Sequence, residues 1–297
     1  VENIWQKNNI SFPCNPPHKR ARLSLVKLQS MLNFIVWYTK WLLGTPLRIA
    51  LLSDIHGNYD ALSTVLDLIK DYDYLVVMGD LVDYGPEPEK VVDTIKSLNA
   101  IVVRGNHDHA VAFNVDCGCG EKTHDISVFT RERITIPRLD ENQVKYLGSL
   151  PLEETISLNG YLLKIVHGSP SNPLYGYVYP WNIRSSLCST NLRLAASMDE
   201  KECELTWSVL FLGHTHYQFS LRMGKTLIVN PGSVGQPRDG DQRASFTIVE
   251  LNGNEQKIIH YKAKYDVDST LRKLSELIQD KYYYDKLARI LINGKIA

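Results

Sequence analysis

The residues with chemical potential in this chain sit where apolar runs end. Asp54 and His56 follow "ALLS", Asp80 and Asp83 follow "VVMG", and Asn106 and His107 follow "VVRG". His167 follows "LLKIV", and His214 and His216 follow "LFLG". A donor set of carboxylates, imidazoles and an amide suits divalent first-row transition metals better than Ca²⁺. The set contains no thiolate and is too large for one tetrahedral ion. Two ions sharing one carboxylate fit it better. In an extended segment, residues i and i+2 point the same way. Asp54 with His56, and His214 with His216, are therefore each expected to face one cavity, with Thr215 turned away. Neighbouring glycines let the backbone turn and approach closely.

These groups need elements to hold them. "LRIALLSD" from Leu47 reads as a buried strand. In "NYDALSTVLDLIKDYD", Ala61, Leu62, Val65, Leu66, Leu68 and Ile69 recur at helical spacing. The strand "YLVVMGD", the helix "PEKVVDTIKSLN" and the strand "AIVVRGN" continue the alternation, which predicts an α/β fold with largely parallel strands. In open α/β sheets, ligands bind outside the carboxyl ends of the strands, where residues far apart in sequence converge. Residues 110–150 are more mixed, with a predicted helix around "DENQVKYLGSL". Strand-like runs follow at "TISLNG", "YLLKIVHG", "SVLFLGHTH", "TLIVNPGS", "ASFTIVEL" and "QKIIHYKA". Asn-Gly chemistry in "SLNGYLLKI" and "ELNGNEQKI" predicts hairpins. From Asp268 the tail reads as one or two amphipathic helices, with Leu271, Leu274, Leu277 and Ile278 on one face.

Taken in order, "DIHGN", "GDLVDYG", "GNHD", "HG" and "GHTH" resemble the calcineurin-like metallophosphoesterases. The resemblance runs from about Leu47 to Ala263, includes "NPGSVGQPRDGD", and is to the compact single-domain prokaryotic phosphodiesterases. It implies a two-sheet β-sandwich flanked by helices, in four αββα layers. It implies one metal held by Asp54, His56, Asp80 and His216, and a second by Asp80, Asn106, His167 and His214. Asp80 would bridge them, and a hydroxide between the ions would attack phosphorus in line. His107 would protonate the leaving oxygen or stabilise phosphate charge, with Asp83 orienting it. Asn58 and Arg104 are candidates for phosphate contacts or for supporting the site, and Arg238 is a candidate phosphate-binding cation. The ions are drawn from Mn, Fe, Ni, Co or Zn, with Mn favoured, because mixed N/O sites are permissive. The protein serine/threonine phosphatase branch places an Arg after the second Asp of the GD segment; Tyr84 stands there in this chain. That weakens the phosphoprotein-phosphatase reading; phosphodiesters lead, phosphomonoesters are the runner-up, and a nucleotide is a candidate substrate. A non-catalytic scaffold on the same fold is the alternative, but such relatives lose ligands that are present here.

Composition excludes some partners. Basic and acidic residues balance at 33 each in 297 residues, so no global charge favours nucleic acid or a membrane surface. Cys14, Cys117, Cys119, Cys188 and Cys203 are odd in number and irregular in spacing. That pattern favours a reducing cytoplasm over a disulfide framework. Residues 1–46 are expected to be an N-terminal extension outside the fold, with residues 47–265 as the catalytic domain and 266–297 as a helical tail. The apolar stretch from Leu32 to Gly44 is too short to span a bilayer and contains Lys40. Asp108 and His109 read as helix-start and surface residues. The C-G-C of Cys117 and Cys119, beside Asp116 and His124, reads as a loop at the site rim rather than a separate metal or redox site. Tyr175, Tyr177, Tyr179 and Trp181, in a loop after a ligand strand, suit either stacking on a base or other ring of the substrate or packing; packing internally or against a second copy in a homo-oligomer is the expectation.

Overall fold

The computed structural model describes residues 45–188, 204–253 and 255–296. Most of the expected N-terminal extension lies outside the described residues. Among the described residues, ten strands form two five-stranded sheets, and helices cover both outer faces.

The first sheet is built on β1 (Leu47–Leu52), β2 (Tyr74–Val77) and β3 (Ala100–Val102), all parallel. The crossovers are α1 (Tyr59–Leu68) and α2 (Pro88–Ser97). The long antiparallel hairpin of β9 (Ala244–Asn252) and β10 (Glu255–Ala263) completes it on the β1 side. The second sheet runs β4 (Glu153–Leu158), β5 (Tyr161–Val166), β6 (Val209–Phe211), β8 (Thr226–Pro231) and β7 (Gln218–Met223). Its inner three strands are parallel and its edges antiparallel. The β4–β5 turn falls on Asn159 and Gly160, both left-handed, as the Asn-Gly pair requires. The expected α/β sandwich is therefore present as two mixed sheets. β7 is an addition, because "QFSLRM" is half-exposed and reads weakly as a strand.

Strand periodicity divides the apolar residues. Ile49 and Leu51 face the second sheet with Val76, Leu163, Ile165 and Phe211. Ala50 and Leu52 face α1 and α2 with Leu62, Val65, Val91 and Ile95. A strand covered on both faces is apolar at every position, which is why β1 reads as one continuous run. Beyond β3 come α3 (Asn106–Phe113), α4 (Glu121–Thr130) and α5 (Glu141–Ser149). α4 continues through a π-helical turn at Arg131–Thr135. The tail forms α7 (Val267–Leu277) and α8 (Lys281–Asn293), preceded in chain order by the short α6 (Ile183–Cys188). Leu274, Leu287, Ile290 and Leu291 of the tail pack on Ile126, Ile134 and Tyr84, directly behind the "GDLVDYG" loop.

Candidate metal centre

The carboxyl ends of β1, β2, β3, β5 and β6 meet at one edge of the sandwich. Asp54, His56, Asp80, Asn106, His167, His214 and His216 gather there, each at most 3 % exposed. The donors fall into two overlapping groups. Asp54, His56, Asp80 and His216 form one, and Asp80, His167 and His214 form the other. Asp80 belongs to both. Its Oδ2 lies 3.7 Å from His56 Nε2 and 3.3 Å from His167 Nε2. Asn106 joins the second group through Oδ1, which is 3.0 Å from His167 Nε2.

The imidazoles are held so that bare nitrogens converge. His56 Nδ1 donates to Val82 O at 3.0 Å, and His216 Nδ1 donates to Gln236 O at 2.5 Å. With those protons on Nδ1, the two Nε2 lone pairs face each other at 3.2 Å. His216 Nε2 also faces Asp54 Oδ1 at 3.3 Å. His167 Nδ1 donates to Met78 O at 2.6 Å, which turns its Nε2 lone pair toward the Asn106 oxygen. Asn106 Nδ2 in turn donates to Cys117 O at 2.8 Å, so the amide cannot flip at no cost. Acceptors facing acceptors in a dry cavity are unfavourable unless a cation lies between them. Asp54 Oδ1 and His214 Nε2 also lack hydrogen-bond partners. These residues fit divalent metal, and the backbone carbonyls that fix the His56, His167 and His216 rings are the outer contacts such ligands need.

Charge tells the same story. Burial pushes His56, His214 and His216 well below the ordinary imidazole range, so they are neutral donors at pH 7. Burial pushes Asp54 up to about 7, against the opposing pull of His167. Burial also acts to raise Asp80, but the charges of His167 and His107 outweigh it and hold its carboxyl well below the usual range. Burial acts to lower His167, yet Asp80 and Asp54 raise it to about 9. A buried imidazole that attracts a proton so strongly marks a point where any cation is favoured.

The physical reason for convergence differs from the expected strand alternation. Asp54, His56, Asp80, Asp83, Tyr84, His214 and His216 all adopt positive φ, between 50° and 68°. Each pair lies past its strand, in a left-handed turn rather than an extended segment. Such backbone costs on the order of 1 kcal/mol per residue and concentrates at functional sites. Close backbone contacts enforce it. A Cβ on Gly105 would lie 2.1 Å from Asp80 Oδ1, and one on Gly235 would lie 1.8 Å from Ile55 O. Thr215 does turn away, and its Oγ1 accepts from Asn230 Nδ2 at 3.0 Å.

His107 stands at the rim, buried to 2 % exposure. Its Nδ1 donates to Asp83 Oδ2 at 2.8 Å, which leaves Nε2 free. The His56 and Tyr84 ring centroids are 5.0 Å from it. Two supports escape sequence inspection. Ser127 Oγ lies 3.3 Å from His107 Nδ1, and Arg131 Nε lies 3.6 Å from Asp83 Oδ2. Both sit on α4 or its π turn, more than forty positions from "GDLVDYG" for each, with no local signal to link them. π turns recur where a side chain must be re-aimed.

Four expectations need correction. Asp108 is fully buried, because its carboxylate accepts the backbone N–H groups of Asp80 at 2.8 Å, Leu81 at 2.8 Å and Gly105 at 3.0 Å. Burial and the Asp80 charge raise its pKa to about 6. Asn58 supports the loops around the site, and its amide is spent on them rather than left for a phosphate contact. It caps α1 through Ala61 N and donates to Gly235 O and Tyr265 Oη. Arg104 points away, donating to Gly148 O at 2.7 Å and lying over the Phe113 ring. Cys117 and Cys119 are joined by a disulfide, which Gly118 permits by turning back at φ +57°. The loop they form does lie at the site rim, since Cys117 O holds Asn106. Arg238 stays close: Gln236 Oε1 accepts from its Nη2 at 2.7 Å, and its charge acts on Asp54, His56, His214 and His216. A cleft of about 1040 Å³ lies at the opposite ends of the second-sheet strands, near Tyr161 and Trp207. It holds none of the clustered donors.

Asp108 supports a direct expectation. Asp108→Ala would strand three buried N–H groups, each costing about 1–3 kcal/mol. The urea midpoint should fall, by about 3 kcal/mol or more in stability, and retained metal should fall with it. An unchanged midpoint would show that Asp108 does not hold the Asp80 loop.

Two mixed sheets with a buried His/Asp cluster at their carboxyl edge define a metallophosphoesterase. Residues 47–254 match the model of the calcineurin-like phosphoesterase superfamily domain, and the chain belongs to that family. A solved metallophosphoesterase from Sphaerobacter thermophilus superposes with a TM-score of 0.64 at 28% identity, covering 84% of this chain and 99% of that one. An uncharacterized protein of Methanocaldococcus jannaschii is 28% identical over 244 residues, 76% of this chain and 91% of its own length. The phosphodiesterase YfcE of Escherichia coli K12 is 24% identical over 231 residues, 72% of this chain and 96% of its own. No helix among the described residues is long and apolar enough to cross a membrane.

Proposed function

We propose that this chain hydrolyses phosphodiesters with two divalent cations, Mn²⁺ favoured. The observation that carries this reading is the double donor cluster sharing Asp80, with bare imidazole nitrogens turned inward. One cation is assigned to Asp54, His56, Asp80 and His216, and the other to Asp80, Asn106, His167 and His214. When bound, the pair supplies Lewis-acid charge at the phosphoryl oxygens and lowers the pKa of coordinated water.

The chain's own groups do the rest. Arg238 meets phosphate charge from the rim. His107, oriented by Asp83, gives a proton from Nε2 to the leaving oxygen. Buried walls exclude bulk water, so each of these charges acts in a low dielectric. Tyr84, buried beside His56 and His107, offers no fixed positive charge for a phosphoprotein's phosphate, so phosphomonoesters rank second. We further propose that residues 47–265 carry the activity, with the tail helices bracing Tyr84. A cytoplasmic setting is proposed from the odd count and irregular spacing of the five cysteines alone; the Cys117–Cys119 link and the disulfide-bonded Cys188 weigh against it.

The test is hydrolysis of bis-p-nitrophenyl and p-nitrophenyl phosphate by protein loaded with Mn²⁺, Ni²⁺, Co²⁺ or Zn²⁺. Turnover of the diester above the monoester is expected, and chelator should remove it. No turnover with any of these ions would leave only a scaffold on this fold.

A further inference from the structure

The loop after His167 carries aromatic rings at every second position, Tyr177, Tyr179 and Trp181. The three rings stack on one another, while Val178 between the first two is buried. The rings form a ladder that begins on a metal-centre residue. The Tyr177 centroid is 4.0 Å from that of His214, Tyr179 is 5.9 Å from Tyr177, and Trp181 is 4.7 Å from Tyr179. Tyr177 and Tyr179 are parallel within 6°, and Tyr179 and Trp181 within 9°. Tyr217 meets Tyr179 and Trp181 edge-on and holds the outer half upright.

The backbone under the ladder is pinned. Tyr179 N donates to Asn182 Oδ1 at 2.7 Å, and Ser186 Oγ donates to Tyr177 O at 3.0 Å. The platform is therefore set before any ligand arrives, which lowers the entropy cost of binding. An aromatic stack built to fill a core buries its widest ring. Here the indole of Trp181 is 68% exposed. The inner spacings are those of rings already in contact, so no further ring enters between them. The open surface is the outer side of Trp181.

We infer that this ladder is a stacking platform for the base of a nucleoside polyphosphate ester whose phosphate chain runs inward to the Asp80 cluster. The inference rests on the phosphoesterase reading for the inner end only. Every base offers a π face, so stacking selects bases as a class. Arg238 stands beside the inner end, its guanidinium 6.0 Å from the Tyr84 ring centroid. Three ring steps separate the open Trp181 face from His214. That spacing asks for a linker longer than the single phosphoribosyl unit of a mononucleotide.

Calorimetric titration of the Mn²⁺-loaded protein separates the two ends. The probes are adenosine 5′-(β,γ-methylene)triphosphate and inorganic tripolyphosphate, which lacks the base. Wild type should bind the nucleotide about tenfold tighter than tripolyphosphate, the effect of one base stack. Trp181→Ala should erase that difference and leave tripolyphosphate affinity unchanged, and Trp181→Phe should restore most of it. No preference for the nucleotide in wild type, or an equal preference in Trp181→Ala, would overturn the platform. So would a halved mass of Trp181→Ala by light scattering with nucleotide affinity intact, which would make Trp181 a subunit contact. The readout needs no turnover. A chain that shows the base effect but hydrolyses no ester would keep the platform and lose the phosphodiesterase reading.

Discussion

Asp80→Ala should strip the centre of both cations and lower kcat/KM by at least about a thousandfold, since bridged metals supply several kcal/mol of transition-state stabilisation. The size of the loss follows from position. Asp80 is the one carboxylate common to both donor groups. It is also the group whose charge draws a proton or cation to His167. Its other oxygen accepts the backbone N–H of His107 at 2.9 Å, so the proposed general acid is tied to the same side chain. Elemental analysis after desalting should show two metal ions per chain in wild type and fewer than one in the variant. Asp54→Ala and His167→Ala, each confined to one group, should leave one ion behind. Melting curves on metal-free samples guard against a folding artefact: the variant loses the buried Asp80–His167 pair and the acceptor of the His107 N–H, so its midpoint should fall, but its transition should stay cooperative and above the assay temperature. Two ions retained by Asp80→Ala, with activity within tenfold of wild type, would end the bridging assignment.

How far such a centre can be read from sequence depends on which contacts are local. Each donor follows a strand, and strands covered on both faces are uniform apolar runs, so the donors at their ends stand out. Asp54, Asp80, Asn106, His167 and His214 were readable for that reason. The two-sheet arrangement came through resemblance, because hydrophobic runs do not show which strands share a sheet. The left-handed turns at Asp54, His56, Asp80, His214 and His216 were not readable. Their φ values are imposed by glycine backbones from other loops, such as Gly105 against Asp80. Asp108 was misread because the usual place of an acid near a helix start is the surface. Here the "GDLVDYG" loop crosses that helix start and buries the carboxylate under three N–H groups. Asn58 and Arg104 sit beside motif residues in sequence, yet their polar atoms are spent on Gly235, Tyr265 and Gly148. Ser127 and Arg131 show the converse, far in sequence and adjacent in space.

His107→Ala should keep both metals and lose activity in a pattern set by the leaving group. His107 is not among the clustered donors that share Asp80, so metal content should match wild type. Its Nδ1 is committed to Asp83, and Ser127 stands behind it. The ring is therefore fixed with Nε2 outward, the geometry of a proton donor. A positioned general acid contributes roughly 10²- to 10⁴-fold when the leaving oxygen is basic. An alkoxide leaving group needs that proton, so a nucleoside 5′-alkyl phosphodiester should lose about that much in kcat. A nitrophenolate leaves without full protonation, so bis-p-nitrophenyl phosphate should lose only about tenfold or less. Asp83→Asn should fall between, because the ring remains but its tautomer and orientation are no longer enforced. Arg131 lies behind Asp83 and not against the ring. Arg131→Lys should accordingly disturb the rate less than either change. The contrast between leaving groups carries the discrimination. If His107 only stabilised charge on the transferred phosphoryl group, both substrates would lose activity equally, since that charge is common to them. An equal loss would thus assign His107 to phosphate binding, and full activity on both substrates would remove it from the chemistry altogether.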